Sequence, residues 1–189
     1  AAVSRDHVTM GSTLQVTIWT ADEPGASAAS DAVFAEFDHL DRLLSVWKEG
    51  SDVLRINAAA GREPVTVSPD TIEVLTVAHQ VSEWTEGKFD VTFGVLSDLW
   101  KFDQDQDDVI PSRAAVLARL PDVDYTALEI DAAHRTAFLR RPGMRVHLGG
   151  IGKGYAVDRA AALLHGRGFN DFMIQSGGDM FVSGRRGDR

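Results

Sequence analysis

The sequence predicts an α+β fold, a mixed sheet packed with helices, and three observations lead there. Leu14-Gln15-Val16-Thr17-Ile18 alternates apolar and polar residues, the period of a strand with one buried face. Val33, Phe37, Leu40 and Leu44 recur at i, i+4, i+7 and i+11, which is one stripe along a helix. Further strand and helix patterns follow without a regular βαβ rhythm, and no internal repeat or linker interrupts them, so one domain over residues 1–189 is expected.

In chain order, Asp22-Glu23-Pro24-Gly25 breaks the first strand pattern, and the helix carrying the Val33 stripe begins near Ser27. Ser68-Pro69-Asp70 opens a second helix with a cap, a proline at the first position and an acid in the first turn. Ile72, Val74, Leu75, Val77, Ala78 and Val81 make that helix apolar over most of its girth, so deep burial is expected. Pro111-Ser112 starts a short third helix that Pro121 ends. Leu128 to Ile130 and Thr136 to Arg140 pair as strands across the turn at 131–135. Arg145 to Leu148 reads as a short strand entering a glycine cluster. A last helix from about Tyr155 to His165 precedes two strands, Phe172 to Gln175 and Met180 to Val182, around Gly177-Gly178-Asp179.

Composition narrows the function. Hydrophobic residues make up 44% and charged residues 25%, values of a chain that folds rather than one that stays disordered. Nineteen Lys and Arg against 28 Asp and Glu give a net charge of −9, which disfavours nucleic acid as a partner because phosphate backbones require a basic face. The absence of cysteine removes disulfides, thiolate metal sites and thiol nucleophiles. No stretch approaches the roughly 20 apolar residues that cross a bilayer. Ala1 in place of an initiator Met suggests a processed or trimmed start.

The densest chemical signal is His147-Leu148-Gly149-Gly150-Ile151-Gly152-Lys153-Gly154-Tyr155-Ala156-Val157-Asp158. Four glycines between a strand and a helix let backbone N–H groups approach an anion, and the helix N-terminus adds positive potential. The same loop also serves as a plain strand-to-helix turn. It is no Walker loop, since His147 stands where the first glycine belongs and Gly154 where the Ser or Thr belongs; nor is it the dinucleotide fingerprint, which needs glycine at Tyr155. Other signals are Gly87-Lys88-Phe89-Asp90-Val91-Thr92, Leu44-Ser45-Val46-Trp47 with Asn57 beyond, and Met10-Gly11-Ser12. Asp103-x-Asp105-x-Asp107 opens like a calcium loop, but Asp108 takes the place of the turn glycine and Ala114 that of the bidentate Glu, leaving a solvated acidic loop. None of the six histidines forms an i, i+4 zinc pair, no G-x-S-x-G elbow occurs, and Arg186-Gly187-Asp188 is too short to carry meaning.

In this order and spacing the chain resembles the FAD:protein FMN transferases, the ApbE-type flavin transferases. The likeness runs through Met10-Gly11-Ser12, Leu44-Ser45 with Trp47, Arg55-Ile56-Asn57-Ala58, Gly87 to Thr92, Leu96 with Leu99-Trp100-Lys101-Phe102, Leu148 to Asp158 and Gly177-Gly178-Asp179. It implies an enzyme that takes FAD and Mg²⁺, moves FMN to a Thr or Ser hydroxyl of a target flavoprotein and releases AMP. A second outcome is a relative that binds FAD, or hydrolyses it, without transfer. The resemblance places Met10, Trp47, Asn57, Lys88, Phe89, Asp90, His147 and Lys153 at the cofactor, and carbonyls of Gly150 or Gly152 at the metal; it assigns no general base. It also implies an exported protein, in the periplasm or on the outer face of the cytoplasmic membrane, often with a lipid anchor in the precursor. Three departures stand out: His147 replaces the usual Asp, Gly152 replaces a common Ala, and nothing in the 189 residues matches the family's C-terminal segment with its Asp and Ser/Thr magnesium ligands.

Overall fold

The computed structural model describes residues 1–101 and 106–186. They gather into two compact units, residues 1–42 with the described residues from 151 onward, and Leu43–Gly150. Asp103 and Asp105 of the acidic loop, Phe102 of the family-like stretch, and Gly187 and Asp188 of the last tripeptide lie outside the described residues.

The first unit is built on an antiparallel sheet of strands β1 (Ala2–Thr9), β2 (Ser12–Trp19), β6 (Phe172–Ser176) and β7 (Asp179–Ser183), in the order β1-β2-β6-β7. Helix α1 (Glu23–Leu44) begins in this unit, and α5 (Gly152–Gly166) packs on β6 and β7. The Val33 stripe is buried as its spacing requires: Val33, Phe37 and Leu40 lie in this unit's core, and Leu44, also buried, belongs to the second unit. Facing residues Leu14, Val16 and Ile18 of β2 and Phe172 and Ile174 of β6 complete that core. Strand β1 is absent from the sequence reading for a physical reason. Its inward positions include Arg5 and His7, which break the apolar alternation. Arg5 pairs with Asp31 at 2.6 Å and His7 Nε2 meets Asp38 at 3.0 Å, so α1 supplies the polar partners these side chains require.

Helix α1 starts at Glu23 rather than near Ser27. The Asp22 side chain accepts the Gly25 N–H at 3.0 Å, and Pro24 sits in the first turn, where its missing N–H costs nothing. The segment expected to break the chain is thus the helix cap. The last helix likewise begins earlier than expected, at Gly152, so Gly152, Lys153 and Gly154 form its first turn.

The second unit holds α2 (Asp52–Ala58), α3 (Pro69–Trp84), α4 (Arg113–Arg119) and an antiparallel sheet of β3 (Val65–Thr66), β4 (Leu128–Asp131) and β5 (Thr136–Leu139), in the order β3-β5-β4. The β4–β5 pairing is the one the sequence predicts. Ser68 caps α3 and Ser112 caps α4 by accepting the N–H of Thr71 and of Ala115. Helix α3 departs from expectation. Ile72, Val74, Leu75 and Ala78 are buried, but Val77 is exposed and Trp84 is 72% exposed, so the helix buries one face only. At Pro121 the helix α4 passes into a 3₁₀ turn over Leu120–Asp122 instead of ending outright.

The expected strand at Arg145 to Leu148 reduces to a single parallel bridge between Phe93 and Arg145. Asn57 explains the difference. Its side-chain amide donates to the Val146 carbonyl at 3.0 Å and accepts the Val146 N–H at 2.7 Å, taking the place of a strand partner.

Candidate functional site

A cleft of about 700 Å³ opens in the unit Leu43–Gly150, and its walls include Trp47, Asn57, Phe93, Trp100 and His147. The 45–51 loop sets Trp47 in place. Ser45 Oγ accepts the Trp47 N–H at 3.0 Å, and Ser51 Oγ donates to the Ser45 carbonyl at 2.7 Å while accepting the Leu54 N–H as the cap of α2. The indole that results is 61% exposed. The indole is thus part of the cleft wall and not of the core.

Phe93 and Gly94 line the cleft, and the chain that leads to them is held by Asp90. Asp90 Oδ1 accepts from the Thr92 N–H and hydroxyl at 2.8 and 2.6 Å, and its Oδ2 accepts the Tyr125 N–H at 2.8 Å. Both carboxylate oxygens of Asp90 are therefore engaged in holding the main chain. Phe89 N–H donates to Thr85 Oγ1 at the end of α3. The Phe89 ring lies 3.4 Å from where a Cβ on Gly150 would stand, which brings the Lys88-Phe89-Asp90 segment against the glycine cluster. Lys88 itself is exposed. Gly94 permits the close approach of the 145–146 chain, since a Cβ there would lie 2.6 Å from the Arg145 carbonyl oxygen.

His147 stands at the entrance to the glycines. Its N–H donates to the Val91 carbonyl at 2.8 Å, and its Nδ1 accepts the Gly149 N–H at 3.0 Å. The imidazole thus makes the local hydrogen bond that an Asp carboxylate makes in an Asx turn. Gly149 has no room for a side chain beside that ring: a Cβ would meet His147 Cε1 at 2.7 Å.

Met10 and Lys153 belong to the other unit. Met10, at φ +49°, and Gly11, at φ +72°, form the two-residue turn between β1 and β2, a geometry that requires positive φ at both positions. Lys153 projects from the first turn of α5 toward the β6–β7 turn, with Nζ 3.2 Å from where a Cβ on Gly177 would stand.

The structure gathers Trp47, Asn57 and His147 on the cleft and places Phe89 beside Gly150. Asn57 and Asp90 act on the main chain around the cleft. Phe93 and Trp100 also line the cleft; Trp100 stands in the family-like stretch Leu99-Trp100-Lys101 with no role assigned to it from sequence, and Phe93 was not singled out. Trp100 carried a signal, a large aromatic in a stretch without strand or helix periodicity, whereas Phe93 carried none. No group of three His, Asp or Glu among the described residues could hold a metal ion, and the Gly150 and Gly152 carbonyls are neutral donors. The described residues alone do not fit a magnesium ion.

A family model described as the ApbE family matches residues 10–189. The chain belongs to the ApbE family. Among curated relatives, a protein of Klebsiella pneumoniae (strain 342) named "FAD:protein FMN transferase" is 32% identical over 186 residues, covering 97% of this chain and 53% of the relative. One of Escherichia coli (strain K12) with the same name is 29% identical over 180 residues, covering 91% of this chain and 51% of its own length. The chain therefore spans about half the length of the curated relatives it matches. A solved structure titled "Flavin Transferase ApbE from Vibrio cholerae" aligns with a TM-score of 0.90 at 27% identity, over 100% of this chain and 61% of that one. The likeness confirms the α+β class of the ApbE fold.

Proposed function

We propose that the protein is an FAD:protein FMN transferase. The observation that carries this reading is Trp47, held open on the wall of a cleft large enough for an aromatic ring system, in a chain that belongs to the ApbE family. In the reaction, a Thr or Ser hydroxyl of a target flavoprotein attacks the phosphorus on the riboflavin side of FAD. A new O–P bond forms, the bond to AMP breaks, and the hydroxyl proton is released. Such a transfer asks a protein chiefly for positioning and for neutralising charge. Trp47 offers a face to a planar ring, and Asn57, Asp90 and His147 hold the chain around it. Gly150, beyond the Gly149 N–H that His147 holds, offers its amide to the diphosphate.

Mg²⁺ is part of the proposal as a dependence to be measured, and no step is assigned to it. Magnesium when bound would neutralise phosphate oxygens. An exported location on the outer side of the cytoplasmic membrane and a lipid anchor in the precursor are likewise proposals, drawn from the family resemblance; no helix among the described residues is long and apolar enough to cross a membrane. His147 in the place of the usual Asp supports a second reading, an FAD pyrophosphatase or a binding protein without transfer. Incubation with FAD, Mg²⁺ and an acceptor flavoprotein separates the readings. Transfer gives AMP together with an FMN-bearing acceptor, hydrolysis gives AMP and free FMN, and mere binding gives neither.

A further inference from the structure

None of the side chains from Pro121 to Thr126 is buried, so this segment has no deep apolar anchor and is held by hydrogen bonds. Two of its amides reach the chain that lines the cleft. Asp124 N–H donates to the Thr92 hydroxyl at 2.7 Å, and Tyr125 N–H donates to Asp90 Oδ2 at 2.8 Å. Thr92 is fully buried, and its hydroxyl donates in turn to Asp90 Oδ1 at 2.6 Å. Thr92 and Asp90 therefore each take one partner from the segment. The chain leaving Thr92 carries Phe93 and Gly94 into the cleft wall, and the Val91 carbonyl receives the His147 N–H at 2.8 Å.

One side chain gathers the segment. Arg141 Nε donates to Asp122 Oδ1 at 3.3 Å, one terminal nitrogen donates to Asp124 Oδ2 at 2.9 Å, and the other to the Pro121 carbonyl at 2.9 Å. Three acceptors from one short stretch thus meet one planar guanidinium, a match that a lysine ammonium does not make. Strand β5 fixes where Arg141 stands, because the next residue, Arg140, donates its N–H to the Ala127 carbonyl at 3.0 Å. Tyr125 secures the far end, its ring meeting the His79 imidazole edge-on at 5.3 Å. The Arg141 side chain is 39% exposed, so its ion pairs add little to global stability. Their consequence is geometric.

We propose that Arg141 is a positioning residue for the cleft: it locks the 121–125 strap whose amides hold Thr92 and Asp90, and so sets Phe93 and Gly94 on the wall and the Val91 carbonyl that receives His147. Without the fork the strap loses its clamp, and a buried hydroxyl and a carboxylate oxygen each lose a donor. Gly94 leaves little slack, because the Arg145 carbonyl oxygen lies 2.6 Å from where its Cβ would stand, so movement of the 92–94 chain displaces the wall. The inference rests on the flavin reading for its ligand; the strap itself belongs to the geometry of the unit Leu43–Gly150.

The test compares the native protein with Arg141→Met, Arg141→Lys and Arg140→Met, the last removing a side chain that pairs with Glu129 outside the strap. Amide hydrogen exchange is measured without ligand, FAD affinity by fluorescence titration, and the melting temperature alongside. In both Arg141 variants, exchange at Phe93, Tyr125 and His147 is expected to quicken about tenfold or more, and FAD affinity to fall about fivefold or more, with α3 amides and the melting temperature unchanged. Arg140→Met is expected to match the native protein throughout. Should Arg141→Met fail to fold, Arg141→Lys carries the comparison. A native protein that binds no FAD counts against the flavin reading, and exchange at Phe93 and His147 then decides the strap alone. Unchanged exchange at those amides, unchanged FAD affinity in a native protein that binds it, full recovery in Arg141→Lys, or faster exchange throughout with a lowered melting temperature overturns the positioning role.

Discussion

Trp47 and Asn57 show two kinds of residue at the cleft. Trp47 presents an exposed surface, so its removal should leave folding intact and weaken ligand binding. Trp47→Ala is expected to lower FAD affinity by about threefold to tenfold, the worth of one aromatic stacking contact, while Trp84→Ala on the exposed end of α3 leaves it unchanged. Fluorescence titration with FAD checks both. Asn57 acts through the main chain, satisfying both polar groups of Val146. Asn57→Ala should therefore cost about 1–3 kcal/mol of stability in a denaturant titration, because a buried amide loses its acceptor. His147→Asp preserves an acceptor for the Gly149 N–H and should keep stability within about 0.5 kcal/mol. It is also expected to increase Mg²⁺-dependent activity, measured as AMP released per minute. At this scale the sequence pointed to Trp47, Asn57 and His147, which share the cleft, but not to how they are held there. Asn57 stood in a motif without a visible contact because its partner, Val146, is 89 positions along the chain.

The element most open to a pH test is the buried staple between α2 and α3. Asp52 is 3% exposed, and its carboxylate accepts the Ser68 N–H and the Thr71 hydroxyl, each at 2.7 Å, and meets Arg55. Burial alone would push its carboxyl up, but these hydrogen bonds outweigh burial and hold it below the usual carboxylate range. The sign follows from linkage. A depressed folded value stabilises the protein above the unfolded value of about 3.9, and that contribution fades as pH falls through the folded value. Urea midpoints measured from about pH 6 to pH 3 should fall in the native protein, and Asp52→Asn should start lower and fall less. Elements with a capping residue and a clean period were legible in advance: Ser68-Pro69-Asp70 opens α3, and the Val33 stripe is the buried face of α1. Strand β1 was hidden by Arg5 and His7, whose partners lie on α1. The strand expected from Arg145 to Leu148 failed in the opposite sense: the pattern was visible, but a side-chain amide supplies the hydrogen bonds that a neighbouring strand would have made.

For the whole molecule, family membership was legible because several weak motifs occur in one order over nearly the full chain, and the match over residues 10–189 agrees. The division into two compact units was not legible, because no composition shift or linker marks Leu43 or Gly150. The acidic loop at 103–108 and the tripeptide at 186–188 contribute nothing to the account. The central claim is transfer of FMN to a protein hydroxyl. Its most direct measurement is intact-mass spectrometry of an acceptor flavoprotein after incubation with this protein, FAD and Mg²⁺, using an acceptor that one of the named transferases modifies in a parallel reaction. The account predicts one FMN on the acceptor Thr or Ser and one AMP released per acceptor. An acceptor left at its original mass, while the parallel reaction goes to completion, would contradict it.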